Sequence, residues 1–314
     1  MESRPTIVQH TAATRTRPTV PPEIPALVGK SVAGEALVTD WGDVSGATQW
    51  VTVHWPHDHP FYTEGGRYSP LLFTESARQA LTVLSHAVHG VPLGHRFGME
   101  RIRTSVNSGE LLTTSGPPEV DLLITHTSVT RRRLGSAHLV SQVEARRGGR
   151  HLGTAELHYT SHPPALYDRL RGRYADAAQA FARALPLPPP APTAVVGRLH
   201  ERDVVISPAG APDHWQLRTD TGHRVLFDHP HDHVPGMVLL EAAVQATRAT
   251  LPHPAVPVAF DSTFLRYVEF DQPCLLTTAP APPTPDGHPR THIRATQSGT
   301  PVFTTTLTTE PHPA

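Results

Sequence analysis

The sequence predicts an α+β chain made of two tandem copies of one unit, each an antiparallel sheet wrapped around a central helix. Its 314 residues are enough for about two domains with separate cores. Strand-like segments, one helix and further strand-like segments occur twice in that order. We therefore expect an irregular tail at residues 1–30, a first repeat at 31–162, a helix and proline-rich linker at 163–195, and a second repeat at 196–310.

In the first repeat, two short strands are predicted within residues 36–55, and a loop rich in His and Pro follows at 57–70. A helix is predicted at 71–89, because residues recur there at helical spacing and Gly90 provides a stop. Further strands are expected at 121–130, 137–146 and 151–159. Gly148 and Gly149 suit the tight turn between the last two.

The linker and the second repeat follow the same order. Residues 166–184 are helical in character, and the proline run at 185–192 predicts an extended, semi-rigid connection. The second helix is expected at 236–250, after a His/Pro loop. The predicted strands of this half lie at 202–206, 215–218, 256–260, 264–270, 274–278 and 301–309.

A short residue pattern supports an internal duplication. His57-Asp58-His59 precedes Glu75-Ser76-Ala77-Arg78-Gln79-Ala80, and His231-Asp232-His233 precedes Glu241-Ala242-Ala243-Val244-Gln245-Ala246. Either match alone would be weak. Because both occur in the same order before a strand-rich region, they indicate a duplicated unit rather than a long-period solenoid.

Composition excludes several classes of function. The formal charge of -1 gives no general attraction to nucleic acid or an anionic membrane. The single cysteine, Cys274, cannot form an internal disulfide, and there is no CxxC pair for zinc. We see no secretory signal and no apolar run of membrane-spanning length, so we expect a cytoplasmic protein.

The segment from Leu226 to Ala246 contains Asp228-His229-Pro230-His231-Asp232-His233-Val234-Pro235-Gly236-Met237 followed by Glu241-Ala242. It distantly resembles the β-hydroxyacyl-carrier-protein dehydratases, whose motif runs from a catalytic His through Pro-Gly to Glu and Gln in the helix. More closely it resembles the A-factor biosynthesis, or γ-butyrolactone synthase, family, for which this motif is a hallmark. The resemblance spans roughly residues 30 to 270.

This resemblance implies a double hotdog fold. It also implies transfer of a β-ketoacyl group from an acyl carrier protein thioester to the hydroxyl of dihydroxyacetone phosphate, with no cofactor, as a step in making γ-butyrolactone signals. The family pattern has Arg where this chain has Val244, whereas Arg78 is present in the first repeat.

Such an esterification needs a base for the alcohol proton and donors for the carbonyl oxygen. We expect Glu75 and Glu241 to be candidate bases, because burial in apolar helices would raise the pKa of a carboxyl group. Arg78 is expected to be a further catalytic residue, and Gln79 and, in the second repeat, Gln245 are expected to bind substrate; all three lie one turn further along each helix. An intrahelical pair is a sufficient structural explanation for these groups as well.

The loop before the second helix offers further candidates. Asp228 or Asp232 could orient His229 as a catalytic group, Asp228 and His233 are expected to bind substrate, and a purely structural turn is the alternative. Gly236 would let a substrate approach free backbone N–H groups at the helix start. A metal held by histidines of this loop, among His229, His231 and His233, is a minor alternative, because the remaining ligands that zinc needs cannot be assigned.

Arginines supply two more expectations. Arg131, Arg132 and Arg133, together with Arg146, Arg147 and Arg150, are predicted to form one basic cluster near the hairpin that could dock an acidic carrier protein. A charged, solvated strand edge is the alternative. Arg67 and Arg171 are candidates for binding a phosphate.

Three hypotheses about the function follow. The first is the acyltransferase. The second is a hotdog dehydratase or thioesterase on acyl thioesters, and the third is a non-catalytic protein that binds an acyl or lactone ligand. No helix-turn-helix pattern supports DNA binding.

Overall fold

The computed structural model describes residues 24–311. Its helices are α1 (Ile24–Val28), α2 (Pro70–Ala87), α3 (Pro164–Arg171), α4 (Ala177–Ala182), α5 (Thr193–Val196) and α6 (Gly236–Thr250). The strands of the first half are β1 (Val38–Ser45), β2 (Thr48–His54), β3 (Thr63–Glu64), β4 (Arg67–Tyr68), β5 (Arg96–Val106), β6 (Glu119–Arg131), β7 (Ala137–Arg147) and β8 (Arg150–His162). The second half has β9 (Ile206–Pro208), β10 (His214–Leu217), β11 (Ala255–Phe264), β12 (Cys274–Ala281), β13 (Arg290–Gln297) and β14 (Thr300–Pro311).

Twelve of the strands described form one continuous sheet. Its order is β1-β2-β6-β7-β8-β5-β11-β14-β13-β12-β10-β9, and each neighbouring pair is antiparallel. The order is symmetric about the β5–β11 contact, so each half contributes six strands in corresponding positions. The predicted double hotdog is confirmed.

The seam between the halves is a strand pair that sequence reasoning missed on one side. Ser105 in β5 pairs with Ala259 in β11, and the register continues to Arg101 and Thr263. Asp261 in β11 accepts hydrogen bonds from Arg101 and Arg103 across this seam. The two repeats therefore share backbone hydrogen bonds and ion pairs in one sheet.

The two long helices, α2 and α6, lie in the core against this sheet. Helix α2 begins with Pro70 at its first position, and the Ser69 side chain accepts a bond from the Leu71 N–H. After α2, Gly90 has φ +60°, a conformation suited to glycine. Because both helices are buried nearly all round, the few polar groups that they carry inward must find partners inside the protein.

Several predicted boundaries differ from the structure. Residues 24–28, which we assigned to the tail, form α1 and pack against α2. The rest of the predicted tail, residues 1–23, lies outside the described residues. The predicted helix at 166–184 is two helices, α3 and α4. The strand predicted at 264–270 is wrong, because β11 ends at Phe264 and residues 265–270 are not a strand.

The predicted basic cluster is wrong as a single surface. Arg131 and Arg146 lie toward opposite ends of the long β6–β7 hairpin, where Arg131 pairs with Ala137. Arg147 is completely buried and donates to the carbonyls of a neighbouring loop, including those of Glu110 and Pro117. It organises that loop and cannot meet a partner.

No helix in the described part of the chain combines the length and apolar character that crossing a membrane requires.

Candidate active site

Glu75 forms the centre of a charged cluster on α2. Arg78 donates to both of its carboxylate oxygens, at 2.8 and 2.7 Å, and Gln79 Nε2 donates to Oε1 at 2.8 Å. Lys30, just after α1, brings its Nζ within 3.3 Å of the same Oε1. The Glu75 carboxylate thus has three partners in the protein.

The pKa of Glu75 is shifted in the direction opposite to our expectation. Burial alone would raise the pKa of this carboxyl group, but the charges of Arg78 and Lys30 and the hydrogen bonds that it accepts outweigh burial and hold the pKa well below its usual range. A carboxylate with such a low pKa is a poor proton acceptor. The prediction that Glu75 is a base through desolvation is therefore wrong, and its contacts instead fix Arg78 and Lys30.

Arg78 remains available to a ligand. Its Nε and Nη2 bond Glu75, whereas Nη1 has no protein partner among residues 24–311, and its side chain is 30% exposed. The Glu75 charge, despite the opposing effect of burial, raises the pKa of Arg78 above its usual value. Arg78 thus presents a fixed positive charge with one free donor group.

Glu241 forms the corresponding cluster on α6. Gln245 Nε2 donates to its Oε1 at 2.6 Å, as Gln79 does to Glu75. Val244 offers no charge, but Arg198, just after α5, donates from Nε to Oε1 at 2.9 Å and brings Nη2 to 2.6 Å from Oε2. The arginine that the helix lacks is therefore replaced from another segment, and this cluster is buried completely.

The two glutamines show that the clusters are equivalent by duplication. Gln79 donates to the Glu35 carbonyl and accepts from the Leu37 N–H. Gln245 donates to the Asp203 carbonyl and accepts from the Val205 N–H in the same way. Each glutamine ties its central helix to the start of its own repeat.

Lys30 and Arg198 are site residues that sequence reasoning missed. A repeated pattern could have revealed them, since Ala26-Leu27-Val28-Gly29-Lys30 matches Ala194-Val195-Val196-Gly197-Arg198. Both glycines have positive φ, +69° and +66°, so each short helix ends in the same left-handed turn before its basic residue. The boundary that we predicted between the linker and the second repeat, at residue 195, therefore falls inside this motif.

The equivalence of the two His-Asp-His motifs is also wrong. In the first repeat, His59 Nδ1 accepts from the N–H groups of Phe61 and Tyr62. In the second repeat the same two bonds are made by His223, with Val225 and Leu226. His59 therefore corresponds to His223, which the sequence analysis overlooked.

Asp228 and His229 form a hydrogen-bonded dyad beside the Glu75 cluster. His229 Nδ1 lies 3.0 Å from Asp228 Oδ1, and the Ser31 N–H donates to the other carboxylate oxygen at 2.8 Å. Burial opposes ionisation of Asp228, but the His229 bond and the nearby Lys30 lower its pKa to about 2. The His229 side chain is 37% exposed, so its ring can meet a ligand.

These contacts join residues from different repeats. Ser31 follows Lys30, which pairs with Glu75, and Asp228 also lies close enough to contribute to the raised pKa of Arg78. The structure thus places Glu75, Arg78, Gln79, Asp228 and His229 together, whereas Glu241 and Gln245 belong to the other cluster.

A metal site at this loop is geometrically conceivable, because ligand atoms of Asp228, His229 and His231 lie within 4.8 Å of one another. Both Asp228 oxygens, however, already accept hydrogen bonds. Burial and the neighbouring His229 and His233 lower the pKa of His231 to about 3, and its ring packs among Phe181 and Phe227. The arrangement fits a neutral packing histidine better than a metal ligand.

His233 lies in a second dyad with Asp232, at 3.0 Å, and so Asp232 orients His233 rather than His229. Arg171 on α3 donates to Asp232 Oδ2 at 2.7 Å and to Glu269 at 2.7 and 2.8 Å. Because Arg171 is buried and fully occupied, it is not free to bind a phosphate. Arg67, the other phosphate candidate, donates to the Ser108 carbonyl.

Gly236 has a packing explanation. A Cβ at this position would lie 2.9 Å from the Phe264 ring, so glycine lets the start of α6 pack closely against this side chain. Its expected role in binding a carbonyl oxygen is not needed to explain the residue.

The two clusters differ in what faces them. Thr63 and Phe227 make matching bonds to the carbonyls of His59 and His223, so the next residues, Glu64 and Asp228, correspond. His229 therefore has Gly65 as its counterpart. The dyad exists in only one of two equivalent places.

The Glu241 cluster, which contains Arg198, is also covered by a side chain of the first repeat. Arg198 Nη1 donates to the Phe61 carbonyl at 2.8 Å, and its guanidinium lies 4.2 Å from the centre of the Phe61 ring. The smaller Val225 is the counterpart of Phe61 at the Glu75 cluster. The open, histidine-bearing cluster is thus our candidate active site.

The symmetric sheet and its two central helices define a double-hotdog protein. A solved acyl-ACP thioesterase from Bacteroides thetaiotaomicron is similar with a TM-score of 0.52 and 11% identity, covering 84% of this chain and 98% of that one. A protein from Lactobacillus plantarum described as an oleoyl thioesterase gives a TM-score of 0.50 and 12% identity, covering 85% and 96%. At these identities the likeness concerns the fold alone.

The chain belongs to the A-factor biosynthesis hotdog domain family, whose model matches residues 8–162 and 179–313. Its relatives include 2-oxo-3-(phosphooxy)propyl 3-oxoalkanoate synthases. The one from Streptomyces virginiae is 38% identical over 86% of this chain and 90% of its own. That from Streptomyces coelicolor is 37% identical over 90% of each chain.

Proposed function

We propose that this protein transfers a 3-oxoacyl group from an acyl carrier protein thioester to the hydroxyl of dihydroxyacetone phosphate. The product is a phosphorylated 3-oxoacyl ester, a precursor of γ-butyrolactone signals. The names of the relatives, which describe this type of ester, support the choice of substrates. The single observation that carries the site assignment is the Asp228–His229 dyad beside Arg78 and Lys30.

His229 is the proposed base. With its Nδ1 bonded to Asp228, the ring has Nε2 free to take the proton of the attacking hydroxyl. The hydroxyl oxygen then attacks the thioester carbonyl, the C–S bond breaks, and the departing sulfur receives the proton from His229. The ester forms without a covalent enzyme intermediate.

Arg78 and Lys30 are the proposed phosphate ligands. Arg78 has a free Nη1, and Lys30 lies against the same carboxylate, so a phosphate would meet two cationic groups whose charges Glu75 offsets only in part. Glu75 holds both side chains in place. His229 and the phosphate-binding residues then contact the two ends of one small acceptor.

The experiment is mass spectrometry of purified protein mixed with a 3-oxoacyl carrier protein and dihydroxyacetone phosphate, with an enzyme-free control. We expect the phosphorylated ester to appear with the wild type and to be lost in His229→Gln. Asp228→Asn should reduce the rate by about 100-fold or more, because the ring loses its orienting carboxylate. Free 3-oxo acid or an enoyl thioester as the main product would contradict the proposal and support a thioesterase or a dehydratase.

A further inference from the structure

The tip of the β6–β7 hairpin presents an exposed leucine in an unusual conformation. Leu134 has φ 69° and ψ 15°, in the left-handed region, and is 77% exposed. An L-residue with a branched apolar side chain seldom adopts this conformation, and the exposed side chain gives the fold no packing in return. A side chain held outward at such a cost suggests a contact with another molecule.

Arginines surround this leucine. Arg131, Arg132 and Arg133 precede it, Arg96 begins the nearby strand β5, and all four are exposed without an ion pair in the described part of the chain. At the opposite end of β7, Arg146 and, at the start of β8, Arg150 pair with carboxylates instead. The unpaired positive charge is therefore concentrated at the Leu134 end.

Histidines next to this surface have lowered pKa values, mainly through burial, and arginines of the surface contribute for two of them. Burial and Arg131 lower the pKa of His89, and burial and Arg132 lower that of His162, against a smaller opposite effect of Glu100. Burial and neighbouring histidines lower the pKa of His95. Glu100, the nearby acidic group, is itself hydrogen-bonded to His138.

We propose that the surface formed by Arg96, Arg131, Arg132, Arg133 and Leu134 docks the acidic carrier protein that delivers the acyl thioester. Leu134 would enter an apolar groove on that partner, and the arginines would pair with acidic side chains around it. This inference rests on the proposed function, because it names the macromolecule that supplies the donor.

The surface lies within reach of the candidate active site. Arg131 donates to the carbonyl of His89, which follows the C-terminal end of α2. Arg78 lies eleven residues before His89. At the helical rise of 1.5 Å per residue, the distance between them along the α2 axis is about 16 Å. A thioester on a flexible prosthetic arm can cover this distance while its protein stays docked outside.

The test compares two donors in each variant. One donor is the 3-oxoacyl carrier protein, and the other is the same acyl group on a small thiol. The variants are Arg132→Glu with Arg133→Glu, and separately Leu134→Gly, which favours the left-handed turn and so keeps the fold. Arg294→Glu, an exposed arginine on β13, makes the same charge change elsewhere and serves as the control.

We expect KM for the carrier-protein donor to rise about tenfold or more in the first two variants. Turnover of the small thioester should stay at the wild-type rate, and Arg294→Glu should match the wild type with both donors. Wild-type KM values for the carrier protein would overturn the docking proposal, as would an equal loss with both donors.

Failure of the proposed function would look different. If the wild type turned over neither donor, the ester synthesis would be rejected, and titration calorimetry with the carrier protein would still decide the docking. Binding that Arg132→Glu with Arg133→Glu abolishes would support the surface. Loss of binding to anionic vesicles, with carrier protein binding unchanged, would overturn it in favour of a lipid headgroup.

Discussion

Glu75 and Glu241 stand at equivalent helix positions, yet their neighbours differ. Glu75 fixes Arg78 and Lys30, of which Arg78 is partly exposed, whereas Glu241 pairs with the buried Arg198. The same residue type therefore supports the proposed ligand-binding groups in one repeat and a closed ion pair in the other.

Glutamine substitutions separate these roles. Glu241→Gln should lower the free energy of unfolding by about 3 kcal/mol, because the buried Arg198 loses its counter-charge. Its turnover per folded molecule should stay near that of the wild type. Urea unfolding and steady-state kinetics on the folded fraction measure both quantities.

Glu75→Gln should instead reduce turnover as well as stability, with KM for dihydroxyacetone phosphate rising at least about tenfold as Arg78 and Lys30 lose their anchor. Equal kinetic effects of the two substitutions would contradict the assignment of the site to the first cluster.

At the scale of elements, α3 holds in place the loop that carries His229. Arg171 bridges Asp232 in the loop to Glu269 beyond β11, and its guanidinium lies 4.3 Å from the centre of the Tyr267 ring. A linker helix thereby anchors the segment that carries His229.

Arg171→Lys tests this anchor, because lysine cannot make the paired bonds to both carboxylates. We expect the free energy of unfolding to fall by about 3 kcal/mol and turnover to fall with it. Faster amide hydrogen exchange confined to residues 228–235 would confirm the cause. Unchanged exchange in this loop would show that Arg171 acts elsewhere.

A second element-scale prediction concerns the end of α2. The rings of His89 and His126 lie 4.3 Å apart, and burial and His89 lower the pKa of His126 to about 4. Since the pKa is near 6.5 in the unfolded chain, the unfolded state binds more protons between pH 6.5 and 4. The contribution of His126 to the free energy of unfolding is therefore fully present above pH 6.5. Between pH 6.5 and 4 it is lost, by about 1.4 kcal/mol per pH unit.

His126→Asn removes this dependence. Urea unfolding at pH 7.5 and 5.5 should show a difference between the two pH values that is smaller than in the wild type by about 1.4 kcal/mol. A variant with the wild-type pH dependence would disprove the contribution of His126.

For the whole molecule, the unequal clusters predict one active site per chain. Titration calorimetry with a stable analogue of the phosphorylated ester should give one bound ligand per chain. Arg78→Met should weaken binding strongly, and Glu241→Gln should leave it unchanged among folded molecules. A stoichiometry of two would show that the covered cluster also binds.

The order of elements and the duplication could be predicted from sequence, because the helices and most strands have clear patterns. Strands β5 and β13 could not, since their outward faces carry charged residues such as Arg103 and Arg294, and β13 buries small or polar residues such as Thr291. Neither could the placement of the Asp228–His229 dyad beside the Glu75 cluster, because it depends on how two distant segments cross.

The dyad and its missing counterpart have a consequence for how this protein can vary. In a symmetric dimer of identical chains, every substitution appears in both sites at once. Here the two halves are different segments of one chain, so a mutation at Gly65 or Val244 changes one half only and leaves His229 and Arg78 unchanged. If His229 and Arg78 form the active site as proposed, we expect residues of the Glu241 cluster to be constrained by folding and not by catalysis.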